Sequence, residues 1–418
     1  MDKIRIKGKS DLYGSIEICG SKNASLPILA SSILSNSDLI LKNIPDLVDV
    51  QNMQKLLLGY GVKITCSDNQ IILNAKNIQN ISTDYDVVRK MRASILILGP
   101  LLSRFGEAKI SLPGGCAIGT RPIDIHLDGL IKLGCDFKIE DGFVIGNVKS
   151  SLLGSYVRLP FPSVGATENI LMAAVLTKGK TIIDNAAKEP EIIDLVKCLV
   201  LMGAKIKGEG TNCLEIEGVE KLKKANHEII SDRIVAGTYI ILAVMLNKEV
   251  EILNLNTDHI ESLIKLLNKM GSKITLKKNS LKIFPTKKIS GCEVKTAPYP
   301  GFPTDLQAQI MALMCLADGD SQIRETVFEN RFMHVSELNR LGAEIKVKKE
   351  TAYIKGNRKF KGAQVMASDL RASVSLVLAG LCADGETTIN RVYHLDRGYE
   401  KIEKKLKKNG PIIIREKI

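Results

Sequence analysis

The sequence predicts an α/β protein of six similar units, arranged as two domains of three. Three observations carry this reading. First, a glycine followed by a short, mostly apolar or β-branched run recurs at Gly61, Gly134, Gly203, Gly271, Gly342 and Gly410, and successive members lie 73, 69, 68, 71 and 68 residues apart. Spacing this regular marks duplicated modules, and the period is longer than that of ordinary solenoid repeats. Second, most units open on a polar or charged group and continue as a helix that is apolar nearly all round, the pattern of a buried helix. Third, 45% of the 418 residues are hydrophobic but only 4% are aromatic and Trp is absent, so the core must be mainly Ile, Leu, Val and Ala.

The openings, in chain order, are Ser21-Lys22-Asn23-Ala24, Lys90-Met91-Arg92-Ala93, Ser163-Val164-Gly165-Ala166, Asp232-Arg233-Ile234-Val235, Thr304-Asp305-Leu306-Gln307 and Ser368-Asp369-Leu370-Arg371. Ser, Thr and Asp cap helix N-termini. Apolar helices are expected over 170–176, 240–246, 310–316 and 375–381, and short strands over 180–184, 249–253, 321–325 and 386–391. A second, amphipathic helix follows, as at 258–269 and 335–341, and ends at the marker glycine, a C-cap position. Strands such as 344–348 and 352–355 close each unit. A break near Ser231-Asp232 divides the chain into a first domain, 22–230, and a second, 1–21 with 231–418. The opening strand Lys3–Lys7 is expected to pair with the C-terminal half, as is 412–414. A cleft between two such halves is a natural place for a ligand.

The formal net charge is +13, which suits an anionic partner. Part of the surplus, Lys404-Lys405-Leu406-Lys407-Lys408, reads as a solvated helix face. Aromatics are not interleaved with basic residues, which argues against a nucleic-acid partner. The nine cysteines contain no CxxC pair and are odd in number, so neither a disulfide framework nor a zinc-ligand pattern is indicated, and no metal is expected. His126, His227 and His259 lack partners at metal spacing and read as structural. The start, MDKIRIKGKS, alternates like a strand, and the longest apolar runs, such as 375–383, are about half of the ~18 residues that a membrane span needs. A cytoplasmic protein without a membrane partner is expected.

Chemistry collects in two places. One is the stretch SLPGGCAIGTRPIDIHLD from Ser111 to Asp128, where glycines flank Cys116 and Arg121 follows five residues on. Glycines are costly in core elements and suit an exposed loop. A cation beside a thiol lowers its pKa. The bland alternative, a surface turn with an incidental thiol, weighs about equally on this stretch alone. The other place is the set of helix openings, where free N–H groups and the helix dipole favour anions. Lys22 with Asn23, Arg92, Arg233 and Arg371 lie there, while Arg121 and Arg397 lie in glycine-bearing loops. For a single Arg a surface salt bridge is the ordinary explanation; the set favours binding of phosphates and carboxylates. Asp305 and Asp369 also fall at openings, where N-capping is the ordinary role for either alone, although the proline-rich run Pro298 to Pro303 stiffens the loop before Asp305.

Several motifs together resemble the enolpyruvyl transferase family: Gly20-Ser21-Lys22-Asn23-Ala24, Lys90-Met91-Arg92-Ala93-Ser94, Leu112-Pro113-Gly114-Gly115-Cys116, Gly119-Thr120-Arg121-Pro122 and Phe302-Pro303-Thr304-Asp305. Further along stand Thr326-Val327-Phe328-Glu329-Asn330-Arg331-Phe332-Met333-His334, Asp369-Leu370-Arg371-Ala372-Ser373 and His394-Leu395-Asp396-Arg397-Gly398-Tyr399-Glu400. They span nearly the whole chain in the family's order. The resemblance implies a two-domain inside-out α/β barrel of six βαβαββ-type units, three per domain about a pseudo-threefold axis. It implies transfer of the enolpyruvyl group of phosphoenolpyruvate to the 3′-hydroxyl of UDP-N-acetylglucosamine with release of phosphate, the first committed step of peptidoglycan synthesis. Neither cofactor nor metal is implied, and a monomer is expected.

By the same resemblance, Cys116 occupies the reactive cysteine position, acts as acid at C3 and is the target of the epoxide fosfomycin. Lys22, Asn23, Arg121, Arg371 and Arg397 would hold phosphoenolpyruvate. Asp305 would be the base for the sugar hydroxyl, assisted by Asp369. Arg92, Arg121, Pro122, Ile123, Asp124, Ile125, Phe161, Pro162, Ser163, Val164, Asp305 and Val327 would line the nucleotide-sugar site. Phe161 departs from relatives that carry Lys there. Two alternatives stand beside this reading. One is the branch of the family whose acceptor is 3-phosphoshikimate, against which the Gly-Gly-Cys loop argues. The other is a non-catalytic basic RNA-binding protein, in which Cys116, Asp305 and Arg397 would have no purpose.

Overall fold

The computed structural model describes residues 2–67, 70–78, 91–112 and 123–417. Their contacts divide into two units, one of residues 20–112 with 123–230 and one of residues 2–19 with 231–417. Each has its own hydrophobic core, dominated by Ile, Leu, Val and Ala.

Each unit holds three sheets among the described residues. In the first unit the strand Lys180–Asp184 pairs parallel with Tyr156–Arg158 and antiparallel with Cys213–Glu217, which pairs antiparallel with Lys205–Lys207. Leu39–Lys42 repeats the arrangement, parallel to Ala225–Glu228 and antiparallel to Gln70–Asn74, which pairs with Lys63–Ser67. The third sheet has the three antiparallel strands Glu107–Ser111, Phe143–Val148 and Cys135–Glu140. The second unit repeats the four-stranded pattern three times, centred on Val250–Leu253, Ser321–Arg324 and Glu386–Asn390. Strand Lys3–Lys7 completes the last of these, antiparallel to both Glu386–Asn390 and Ile413–Glu416.

Largely buried helices pack on one another within each unit: Lys22–Ser31, the amphipathic Leu98–Phe105 and Val164–Ala174 in the first, Arg233–Leu246, Gln307–Leu316 and Leu370–Cys382 in the second. Ser21, Ser163, Asp232 and Asp369 cap four of them by accepting backbone N–H groups of the first turn. Two openings depart from that pattern. Met91 offers no side-chain acceptor, and Arg92–Ile97 forms a 3-10 helix ahead of Leu98–Phe105. Thr304–Leu306 is likewise 3-10, following Pro303, and the Thr304 hydroxyl donates to Glu325 at 2.9 Å. The helix expected at 170–176 starts earlier and stops at Ala174, since Ser163 sets its start. The helix expected at 258–269 divides into a 3-10 turn, Thr257–Ile260, capped by Asn256, and the helix Glu261–Met270.

All six marker glycines adopt positive φ, from +97° at Gly61 to +111° at Gly410. At Gly203 the amide donates to Val200 O and the next amide to Leu199 O, both at 2.9 Å, which closes the helix Pro190–Leu201. The same two bonds recur at Gly342, to Asn339 O and Leu338 O. A residue with a Cβ resists this left-handed geometry, which is why glycine marks the repeat. No helix among the described residues is long and apolar enough to cross a membrane.

Candidate active site

Cys116, Arg121 and Pro122 lie outside the described residues. The other expected site residues fall in both units, each described here by itself.

In the first unit, Lys22 is the first residue of its helix and Asn23 the second, both half-buried. Lys22 Nζ lies 3.3 Å from Oδ2 of the buried Asp49, at the start of the helix Val48–Tyr60. Ile123 is buried, while Asp124 and Ile125 begin the helix Asp124–Lys132. Phe161 is 55% exposed, and Pro162, Ser163 and Val164 lead half-buried into the helix Val164–Ala174. The two helices are tied by Asn169, whose amide contacts His126 Nδ1 at 3.2 Å and donates to Ile95 O at 2.9 Å. Burial, then the charge of Arg92, pushes the His126 pKa down to about 4, so the ring is neutral near pH 7. Its structural reading holds. A hollow of about 280 Å³ borders this end of the unit, lined by Ile125, Asp128, Lys132, Arg158 and Pro160 among others. Within the helix Val164–Ala174, burial together with the charges of Glu191 and Glu189 raises the pKa of Glu168 well above the carboxylate range.

In the second unit the structure gathers a charge cluster around Asp305. Arg331 Nη2 donates to Asp305 Oδ1 at 2.8 Å, and Arg371 Nη2 donates to Oδ2 at 2.7 Å. The guanidinium side chains are only 4% and 6% exposed, while Asp305 is 26% exposed. Asp305 therefore does not cap its helix, contrary to the ordinary role of a lone Asp at an opening. Asp369 does cap, accepting from Arg371 N at 2.8 Å and Ala372 N at 3.1 Å. Burial by itself would lower the Arg371 pKa, but the charges of Asp305, Tyr399 and Asp232 outweigh it and raise the pKa. Arg371 is thus a permanent buried cation bound to Asp305. Arg397 ends the 3-10 helix Val392–Arg397, half-buried, and Val327 is exposed in the loop after Ser321–Arg324.

Two residues of this cluster were not among the expected site residues. Arg331 stood inside a recognised motif without a role. Its Nη1 is buried and has no hydrogen-bond partner among the described residues. His334 is buried, and burial first, then the charge of Arg331, pushes its pKa down to about 4 against the opposing pull of Asp369. Neither residue carries a local pattern that announces the carboxylates beside it, Asp305 for Arg331 and Asp369 for His334, which stand 26 and 35 positions away in sequence. Chemically, the cluster is a carboxylate oriented by two cations. Such an arrangement suits proton transfer or the binding of an anionic substrate.

Among proteins of known family, the model for EPSP synthase (3-phosphoshikimate 1-carboxyvinyltransferase) matches residues 6–406, and the chain belongs to this family of enolpyruvyl transferases. A protein of Pelagibacter ubique named UDP-N-acetylglucosamine 1-carboxyvinyltransferase is 52% identical to it, over 99% of this chain and 100% of that relative. One of the same name from Paramagnetospirillum magneticum is 49% identical, over 99% of this chain and 98% of its own. Among solved structures, the enolpyruvyl transferase NikO from Streptomyces tendae superposes with a TM-score of 0.91 at 24% identity, covering 99% of this chain and 98% of that one. EPSP synthase from Acinetobacter baumannii does so with a TM-score of 0.78 at 16% identity, covering 100% of both. At those identities the structural likeness speaks to the fold, which is the α/β enolpyruvyl transferase fold.

Proposed function

We propose that this chain transfers the enolpyruvyl group of phosphoenolpyruvate to the 3′-hydroxyl of UDP-N-acetylglucosamine and releases phosphate, the committed entry to peptidoglycan and so to cell wall biogenesis, cell shape and division. The observation that carries the reading is near-full-length identity of about half with relatives named for that transfer. Together with the Gly114-Gly115-Cys116 sequence, it favours this acceptor over 3-phosphoshikimate. The RNA-binding alternative leaves the cluster of Asp305 with the buried Arg331 and Arg371 without a task.

The reaction assigns each group a role. Cys116 delivers a proton to C3 of phosphoenolpyruvate as the sugar oxygen bonds to C2. Asp305 takes the hydroxyl proton, with Asp369 assisting. The tetrahedral ketal then loses a proton from C3 as the C2–O bond to phosphate breaks, which restores the alkene. Lys22, Asn23, Arg121, Arg371 and Arg397 neutralise the phosphate and carboxylate. Arg92, Arg121 to Ile125, Phe161 to Val164 and Val327 hold the nucleotide sugar. No cofactor or metal takes part. The reading includes fosfomycin alkylation at Cys116, domains of 22–230 and 1–21 with 231–418, and the six-unit inside-out barrel. It also includes a cytoplasmic monomer that binds neither membrane nor nucleic acid.

The test is phosphate release from phosphoenolpyruvate with UDP-N-acetylglucosamine and shikimate 3-phosphate offered separately. Release with the first alone is expected; release with only the second assigns the other branch.

A further inference from the structure

Glu325 follows the strand Ser321–Arg324 and is only 4% exposed. Its carboxylate gathers three segments of chain. Oε2 accepts from the Thr304 hydroxyl at 2.9 Å. Oε1 accepts from the Thr296 hydroxyl at 2.9 Å and from the backbone N–H groups of Val327 at 2.8 Å and Phe328 at 3.2 Å. Thr296 is strapped to the same strand end, accepting the Thr326 N–H at 2.9 Å and, at its carbonyl, the Thr326 hydroxyl at 2.6 Å. All four donors to Glu325 are neutral. Burying a carboxylate among hydroxyls and amides is a costly way to hold a turn when apolar packing would serve. What the cost secures is the aim of two segments. One carries Asp305, directly after Thr304; the other carries Val327.

We propose that Glu325 is a positioning residue with two separable arms, Oε2 fixing the turn that presents Asp305 and Oε1 fixing the loop that presents Val327 to the nucleotide sugar. The inference rests on the proposed function, because it takes Asp305 as the base and Val327 as a contact of the acceptor. Hydroxyl and amide hydrogen bonds are directional, so each arm restricts its segment to one orientation. Misplacement of a reacting group by about 1 Å costs on the order of a hundredfold in rate, so orientation is where the effect appears.

The experiment compares Thr304→Val, Glu325→Gln and Glu325→Ala with wild type in steady-state phosphate release, with thermal melts as a control for folding. Thr304→Val cuts only the Oε2 arm and should lower kcat about tenfold or more while leaving KM for UDP-N-acetylglucosamine within about twofold. Glu325→Ala should lower kcat and raise that KM together. Glu325→Gln keeps an amide oxygen for Val327 and Phe328 and should recover most of the KM. A Thr304→Val enzyme with wild-type kcat overturns the Oε2 arm, and it decides the matter should Glu325→Ala not fold. Glu325→Ala that melts lower yet keeps both constants reduces Glu325 to a structural residue. Hydrogen exchange separates this from the fate of the functional reading. The Val327 and Phe328 amides should exchange faster in Glu325→Ala whatever the acceptor, and unchanged exchange overturns the positioning role even if wild type turns over as proposed.

Discussion

The two units share a helix plan and, in five of their six described sheets, a four-stranded topology, and they differ in the groups that cap their helix openings. In the first unit the capped helices start on hydroxyls, Ser21 and Ser163, and the charged side chains beside the openings are cations, Lys22 and Arg92. In the second they start on carboxylates: Asp232 takes the N–H groups of Ile234 and Val235 at 2.9 Å each, and Asp369 takes two more. There Asp305 is released from capping and held by Arg331 and Arg371. A duplicated scaffold has thus been given different chemistry at equivalent positions, which locates function in the openings and not in the fold. Each unit also buries one histidine driven to the neutral form, His126 in the first and His334 in the second.

The sharpest way to break this comparison is to remove the carboxylate that has no counterpart in the first unit. Asp305→Ala should lower kcat by about 10²–10⁴, the usual worth of a general base. It also strands two buried guanidinium groups, so a melting measurement should accompany the rate. An Asp305→Ala enzyme with near-wild-type kcat would remove the base from the second unit. A smaller effect is expected for the cations, one from each unit. Lys22→Ala and Arg397→Ala should each weaken phosphoenolpyruvate binding by about 1.5–3 kcal/mol, the range for a charge-assisted contact. Calorimetric titration checks this, and wild-type affinity in both variants would clear both residues of the assignment.

How much of this was legible in sequence follows from which interactions are local. The repeat was legible because capping residues and C-terminal glycines act within a few positions, and all six marker glycines do adopt positive φ. The capping roles of Ser21, Ser163, Asp232 and Asp369 were legible for the same reason. Thr304 was read as a cap, but it lies inside the 3-10 turn, after Pro303, and its hydroxyl donates to Glu325, 21 residues away. The grip on Asp305 comes from Arg331 and Arg371, 26 and 66 residues on. Asp49 reaches Lys22 across 27 residues. Such pairs leave no periodic trace, so the sequence shows the residues without their partners.

The two histidines sharpen the comparison through pH. Both have folded-state pKa values near 4 against an ordinary value near 6.5, lowered chiefly by burial. The unfolded chain therefore binds their protons first as pH falls. Stability should be flat above about pH 6.5 and fall as pH drops toward 4. For His126 the full loss is roughly 3 kcal/mol at about 1.36 kcal/mol per pKa unit. Urea melts across that window should show His126→Gln losing less stability on acidification than wild type. A parallel pH slope in that variant would mean that His126 is not the group being titrated.

The smallest effects are expected where the two units should differ least, at the marker glycines. Gly203 of the first unit and Gly342 of the second close their helices with the same pair of backbone bonds and have φ of +103° and +99°. Alanine at either site must enter the left-handed region, at a cost of about 1–2 kcal/mol. Part of this is offset because alanine also restricts the unfolded chain, by roughly 0.4–1 kcal/mol. What surrounds the new methyl then separates them. At Gly203 it would meet only the flexible Lys223 side chain, 3.5 Å away, whereas at Gly342 it would lie 3.1 Å from the Lys359 backbone carbonyl. A side chain can step aside, but a carbonyl held in the chain cannot. Gly203→Ala should therefore lower unfolding free energy by about 1 kcal/mol or less, and Gly342→Ala by more, with m-values unchanged. Equal losses would mean that backbone conformation alone sets the cost. No loss at either site would mean that the glycines do not terminate the helices, and the six-fold marker would lose its physical basis.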